Sequence, residues 1–315
     1  MAPYDPRMNA PYQPLGFQVP TPFPPPGGMA GPFRPPMGPP KLTFHPGQPL
    51  PEGTPLATRF EILERVGEGR CGFVYLCRDV KGDNADRVVK TFDPRRGDQK
   101  DEDLFRREVR LLGKLTHPRI PRGYGIYDHQ GMLCAPQTFI DGEDLADYVD
   151  RRGALPEAEV VDILRQVLVI LRDLHEGQPS ILHRDLKPEN LVRDPDGQVW
   201  MIDFGSATDA YQEKRDVPLE SITTNQTLGY ASPEQVMGLE SYPQSDLYAL
   251  GATVLFLASG VNPIAHFDGR LGRLQWSCAM SDGLRQVLTA MLKLAARDRP
   301  ANAREVLSML DSFRE

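Results

Sequence analysis

Three oxygen-bearing side chains stand close together in the second half of the chain: Asp185 and Asn190 in His183-Arg184-Asp185-Leu186-Lys187-Pro188-Glu189-Asn190, and Asp203 in Asp203-Phe204-Gly205. A lone carboxylate in a polar loop can orient a hydroxyl and take its proton. An amide oxygen and a second carboxylate are ligands for a hard divalent cation such as Mg²⁺, which keeps water molecules besides. Lys187, two residues after Asp185, can reach an anionic group undergoing transfer. Together these are the parts that phosphoryl transfer needs: a base, a metal to neutralise developing charge, and a cation for the moving group. A surface loop would assemble all of them only by coincidence.

A phosphate cradle lies upstream. Gly67-Glu68-Gly69-Arg70-Cys71-Gly72 falls between two strand-like segments, Phe60–Val66 and Phe73–Cys77. Glycines there let the backbone close over phosphates without side chains intruding. In a dinucleotide fold a helix follows the glycines and an acid lies about 20 residues on; here a strand follows, and position 90 is a lysine. Lys90 lies on a third apolar strand, Arg87–Phe92, where it can anchor phosphates. Glu108 lies on the next helix and can pair with it, although a glutamate on a helix is also commonly just solvated.

The elements that must position these groups follow from periodicity. Strands are expected around Tyr124–Tyr127 and Met132–Phe139, after a helix over Leu104–Leu115 with apolar residues at three-and-four spacing. From Leu145 the pattern turns helical. Pro156 suits a first helical position, and an apolar stripe runs from Val160 to Leu174. Short strands follow at Ile181-Leu182, Leu191-Val192 and Val199–Ile202, the last two joined by the turn Asp194–Gly197. Helices are expected at Ser245–Ser259, Asp282–Leu294 and Ala303–Phe313. The order predicts an α+β fold with two lobes, a small mostly-β one and a larger mostly-α one, with a ligand cleft between them.

Composition narrows the setting. The net charge is −7, so no basic surface points to nucleic acid. Residues 1–51 hold 17 of the 31 prolines and carry +2, leaving −9 for the rest. With so much proline and few aliphatic side chains this stretch is expected to be a disordered tail. Its aromatics (Tyr4, Tyr12, Phe17, Phe23, Phe33, Phe44) can serve a partner or simply ride on a spacer. The four cysteines, Cys71, Cys77, Cys134 and Cys278, are scattered, which suits a reducing cytoplasm. The N-terminus has no apolar core of a signal peptide. The longest uncharged run, Leu247–Phe267, is broken by glycine and proline and is expected to be a buried helix and not a membrane span.

Through these motifs the sequence from about Phe60 to Phe313 resembles the eukaryotic-like protein kinase family, serine/threonine type, and its bacterial members in particular. The resemblance rests on the glycine loop, Val88-Val89-Lys90, Glu108, the catalytic loop and Asp203-Phe204-Gly205. Ser232-Pro233-Glu234, Asp246 and Arg299 add to it. It implies transfer of the γ-phosphate of ATP to serine or threonine hydroxyls of protein substrates, with Mg²⁺, in signalling and with autophosphorylation. It divides residues 52–315 into an N lobe over 60–137, a hinge at 138–143 and a C lobe over 144–315. It makes Asp185, Lys187, Lys90, Glu108 and Thr227 the catalytic set, and Asn190 and Asp203 the metal ligands. Gln137 becomes the residue guarding the back of the adenine site. Backbone groups of Thr138 and Ile140 would meet adenine, and Asp144 the ribose. Val66, Val74, Val88 and Val192 would sandwich the ring, while Gly67, Glu68, Gly69, Arg70, Cys71 and Gly72 would cover the phosphates. A buried Glu234–Arg299 ion pair is implied too. Gln226 departs from the family's usual glycine. Arg184 suggests activation by phosphorylation at Ser221, Thr223 or Thr224. A catalytically dead relative on the same fold would lack one of Lys90, Asp185, Asn190 or Asp203. A small-molecule kinase would lack the Lys187-Pro188-Glu189 and Ser232-Pro233-Glu234 segments.

Overall fold

The computed structural model describes residues 47–209, 229–268, 273–276 and 278–312. The chain divides into two units, 1–43 and 44–315, and everything described here belongs to the second. The expected tail therefore lies almost wholly outside the described residues, as do Ser221, Thr223, Thr224, Gln226 and Thr227.

The first lobe is one antiparallel sheet. Its strands are β1 (Pro55–Leu56), β2 (Phe60–Gly69), β3 (Gly72–Asp79), β4 (Asp86–Phe92), β5 (Tyr127–His129) and β6 (Met132–Thr138), in the order β1-β2-β3-β4-β6-β5. Alternation along β3 sends Phe73, Tyr75 and Cys77 into an apolar cluster with Leu56, Phe60, Ile62, Val89, Met132 and Cys134. The opposite face is left to Val74, which pairs with Lys90 across β3 and β4. One helix, α1 (Gln99–Lys114), lies between β4 and β5.

Strand β1 is an addition that periodicity does not predict. Leu56 is fully buried. Around it, the Gly53 amide donates to the Ile62 carbonyl at 2.8 Å, and the Ile62 amide to the Thr54 carbonyl at 3.1 Å. Leu50, within the stretch read as tail, packs on the same cluster, and its amide donates to the Tyr75 hydroxyl at 2.9 Å. Two expectations shift for local reasons. Helix α1 starts at Gln99, before the apolar pattern, because Asp98 and Asp101 form a reciprocal capping box over a wholly polar first turn. Strand β5 begins at Tyr127, beyond Gly125, whose φ of 89° no strand accommodates.

The second lobe is helical. Strand β7 (Glu143–Asp144) leads into α2 (Leu145–Arg152) and α3 (Glu157–His175), for which Pro156 is the N-cap and not the first helical residue. The short strands β8 (Ile181–Leu182), β9 (Leu191–Arg193), β10 (Val199–Met201) and β11 (Thr208–Asp209) follow, with Asp194–Gly197 turning β9 into β10. Then come α4 (Pro233–Val236) and α5 (Pro243–Ser259), the hairpin β12 (Phe267–Asp268) and β13 (Arg273–Leu274), α6 (Asp282–Met291) and α7 (Ala303–Ser312). Helices α3 and α5 form the centre of the larger core, which also takes in Leu112 and Ile120 from the first lobe. The long uncharged run resolves into α5, the left-handed Gly260 (φ 68°) that ends it, and a short turn at Pro263–His266. No helix among the described residues is long and apolar enough to cross a membrane.

Candidate active site

The glycine loop is the turn between β2 and β3, with Gly67 opposite Val74, Glu68 opposite Phe73 and Gly69 opposite Gly72. Gly72 must be glycine, since a Cβ there would lie 1.9 Å from the Thr91 carbonyl oxygen. The loop roofs a cavity of about 450 Å³, lined also by Lys90, Phe105, Glu108, Asp203 and Gly205. That volume is in the range of small-molecule sites.

Lys90 is the hub of this cavity. Its Nζ donates to Glu108 Oε1 at 2.6 Å and to Asp203 Oδ1 at 2.8 Å. Burial opposes the ammonium charge, but Asp203 and Glu108 outweigh it and hold Lys90 above the ordinary lysine range. The Lys90 ammonium in turn drives Asp203 far below the usual carboxylate range, against the effect of burial. Burial is the largest influence on Glu108 and pushes it up, with Lys90 pulling the other way and Asp203 adding to the rise. At neutral pH the cluster therefore presents Asp203 as a firmly ionised oxygen donor. Asp203 has a left-handed backbone (φ 60°), unusual for a residue with a side chain. The next residue, Phe204, is fully buried and meets the His183 ring edge-on at 4.9 Å.

The loop bearing Asp185 is built from behind. Asp246, buried at the start of α5, accepts from the His183 amide at 2.9 Å and the Arg184 amide at 2.8 Å. His175 Nε2, at the end of α3, lies 2.9 Å from the same carboxylate. Burial alone would raise the Asp246 carboxyl, but His175, His183 and the Arg184 amide hold it below its ordinary value. Gln235 Nε2 donates to the Arg184 carbonyl at 2.7 Å, tying this loop to α4. Asn190 Nδ2 then donates to the Asp185 carbonyl at 2.6 Å and to its Oδ2 at 3.2 Å, while Lys187 Nζ lies 3.4 Å from Oδ2. The Asp185 carboxylate is thus held from two sides.

The structure brings together Lys90, Glu108, Asp203 and the glycine loop in one place, and Asp185, Lys187 and Asn190 in another. Of the expected adenine and ribose contacts, Val74 lines the 450 Å³ cavity, whereas Val66, Val88, Thr138, Ile140, Asp144 and Val192 lie outside its lining. Val66 is exposed, whereas Val192 is buried and pairs with Asp144 across β9 and β7. The Thr138 amide donates to the Arg122 carbonyl at 3.0 Å, so only its carbonyl could meet a base. Asp144 caps α2, its Oδ1 accepting from the amides of Ala146 at 2.9 Å and Asp147 at 3.0 Å. The sequence offered no role for His175 or Gln235; a histidine in a last helical turn reads as a partner of the helix dipole.

The donors suit a hard cation. Asp203 and Asn190 offer oxygen, and no cluster of three or more His, Cys, Asp or Glu fit to hold a metal occurs among the described residues. Mg²⁺ commonly takes one or two protein oxygens and completes its shell with phosphates and water.

Known proteins resemble this chain in sequence. The chain is 33% identical over 277 residues to serine/threonine-protein kinase F of Synechocystis sp., covering 81% of this chain and 55% of the relative. It is 32% identical over 224 residues to serine/threonine-protein kinase PrkC of Bacillus subtilis, covering 69% and 32%. It is 33% identical over 227 residues to serine/threonine-protein kinase PknF of Mycobacterium tuberculosis, covering 69% and 46%. The chain therefore spans about a third to a half of the length of these curated relatives. Residues 60–310 match the protein kinase domain family, which takes in every group of the site described above. The chain belongs to the protein kinase domain family.

Proposed function

We propose that this chain transfers the γ-phosphate of ATP to serine and threonine hydroxyls of protein substrates, itself included, as a signalling enzyme of the cytoplasm. The observation that carries the reading is Lys90, bonded at once to Glu108 and Asp203 beneath a glycine loop. Lys90 would anchor the α- and β-phosphates, with Glu108 fixing its ammonium. Asp203 and Asn190 would hold Mg²⁺, which when bound neutralises charge developing on the phosphates. Asp185 would orient the attacking hydroxyl and accept its proton, and Lys187 would approach the transferring group. The Thr138 carbonyl and Ile140 backbone would meet adenine, Asp144 Oδ2 the ribose, and Val66, Val74, Val88 and Val192 the ring faces. Thr227 would steady Asp185 from the segment outside the described residues, where Ser221, Thr223 and Thr224 are the candidate phosphorylation sites. Serine/threonine preference rests on Lys187 and on the relatives' names. The cytoplasm is supported by four free cysteines. Of the proline-rich stretch, Leu50 packs on the sheet, and the remainder would serve as a passive spacer or bind a partner. The test is to incubate the purified chain with γ-labelled ATP, Mg²⁺ and a cell lysate, then map the labelled residues. Label on serine and threonine supports the reading; no protein labelling rejects it.

A further inference from the structure

The glycine loop is gripped at its rim by the chain that follows β4, where Asp101 also lines the 450 Å³ cavity. The turn joining β4 to α1 runs alongside it and meets successive loop residues. Arg96 Nη2 donates to Glu68 Oε1 at 2.7 Å, and the Arg96 guanidinium lies 4.6 Å from the centre of the Phe73 ring. Arg70 Nη2 donates to Asp101 Oδ1 in the first turn of α1. The Asp93 amide donates to the Cys71 carbonyl at 2.7 Å. Cys71 Sγ also rests on Gly97, where a Cβ would come within 2.8 Å of it. The turn itself is stiff. Asp93 is buried and takes Nε and Nη2 of Arg95 at 2.7 and 3.0 Å. Asp101 Oδ2 is engaged by the Asp98 amide at 3.1 Å.

We infer that the β4–α1 turn is a clasp for the glycine loop, with Arg96 and Asp101 as positioning residues for the nucleotide, acting through Glu68 and Arg70. This rests on the reading that the loop covers ATP phosphates. Glu68 places a carboxylate in a loop that must close over a polyanion, and like charges repel. Arg96 neutralises it, with Arg65 Nη1 3.5 Å from its other oxygen. Arg70 and Asp101 hold the loop's tip down toward the helix. Asp101 lies two turns before Glu108 on that helix, so one rigid element carries both the clasp and the partner of Lys90. Closing the loop and forming the Lys90–Glu108 pair then favour each other.

The test measures the dissociation constant of a fluorescent ATP analogue, KM for ATP, kcat and Tm at low and high salt. The proteins are the full-length wild type, Arg96→Ala, Glu68→Ala, the double variant and Asp101→Asn, in which the amide oxygen still accepts from Asp98. Arg96→Ala should weaken nucleotide binding and raise KM for ATP about two- to fivefold, as exposed ion pairs do. Its kcat, KM for protein substrate and Tm should stay near wild type. The double variant should be no worse than Arg96→Ala, because the uncompensated acid is gone. Asp101→Asn should shift KM for ATP in the same direction, and high salt should shrink each difference. A wild type that binds the analogue with variants indistinguishable from it overturns the clasp alone, as do losses that add in the double variant. A wild type that binds no nucleotide overturns the ATP reading and the clasp with it.

Discussion

Arg299 and Glu234, 65 residues apart, face each other through two parallel hydrogen bonds of 2.6 and 2.9 Å inside the helical lobe. The Ser245 hydroxyl donates to the same carboxylate at 2.6 Å. Arg299 spends its remaining donors on the carbonyls of Lys293, Leu294 and Gln244. Those bonds explain why α6 stops at Met291 and not at Leu294, where the apolar pattern would end it. The pair also joins α4, which carries Gln235 and so the Arg184 carbonyl, to the base of the domain.

Removing one partner should therefore be costly. Arg299→Ala leaves a buried carboxylate without its guanidinium and should destabilise the chain by about 3–5 kcal/mol, read by urea denaturation. Burial alone would push the Glu234 carboxyl up, but the hydrogen bonds from Arg299 and Ser245 hold it down to about 2, against an ordinary value of 4.5. A folded-state value lowered in this way gives stability that is complete above pH 4.5 and lost as pH falls toward 2. Glu234→Gln should flatten that part of the stability profile; a variant as acid-sensitive as wild type would refute the assignment.

Lys90→Met should leave Glu108 and Asp203 close together with no cation between them. Their mutual repulsion should raise the affinity of Asp203 for protons and open the cavity below the glycine loop. Loss of one preorganised electrostatic group commonly costs about 10²–10³ in kcat, and we expect a fall of that order in labelled-phosphate transfer. Wild-type turnover in this variant would mean that another cation anchors the phosphates.

Asp185→Asn removes a proton acceptor and the charge that faces Lys187. Asn190 Nδ2 still finds the residue 185 carbonyl, the stronger of its two contacts at 2.6 Å. Thermal stability and nucleotide affinity should therefore stay near wild type while transfer falls about 10²–10⁴-fold, the usual contribution of a positioned base. Near-wild-type turnover would remove Asp185 from the mechanism.

The motifs were legible where the chemistry is local in sequence. Asp185, Lys187 and Asn190 occupy six residues, and their spacing alone places them in one loop. Lys90 and Glu108 were legible through a strand and a helix with clear apolar periods. The support of that loop was not, because Asp246 reaches the His183 amide across 63 residues and His175 reaches Asp246 across 71. Neither contact leaves a local pattern. The first turn of α1 was missed because it is polar throughout and is fixed by capping, which periodicity does not see. Arg96 and Asp101 carried no signal beyond ordinary surface charge. Strand β1 is two residues long and lies between Pro51 and the β2 alternation, so nothing in composition separates it from the proline-rich stretch before it.

That strand yields the last prediction. Leu56 is fully buried against Phe60, Ile62 and Tyr75 on the sheet face away from the cleft. Its neighbour Ala57 donates its amide to His129 Nδ1 at 3.0 Å, pinning the segment to the far edge of the sheet at β5. At the segment's other end the Gly47 amide bonds to the Asp93 carboxylate, which helps keep that acid below its ordinary value against burial. Residues 47–57 thus span the outer face from β5 to the turn that grips the glycine loop. Truncating before Gly47 should leave Tm unchanged, whereas truncating through Ala57 should expose the cluster and lower Tm by several degrees or more. Leu56→Ala isolates the packing term and should cost about 2–5 kcal/mol in urea denaturation. If both truncations melt alike, the segment is only laid on the sheet, and the first lobe folds without it.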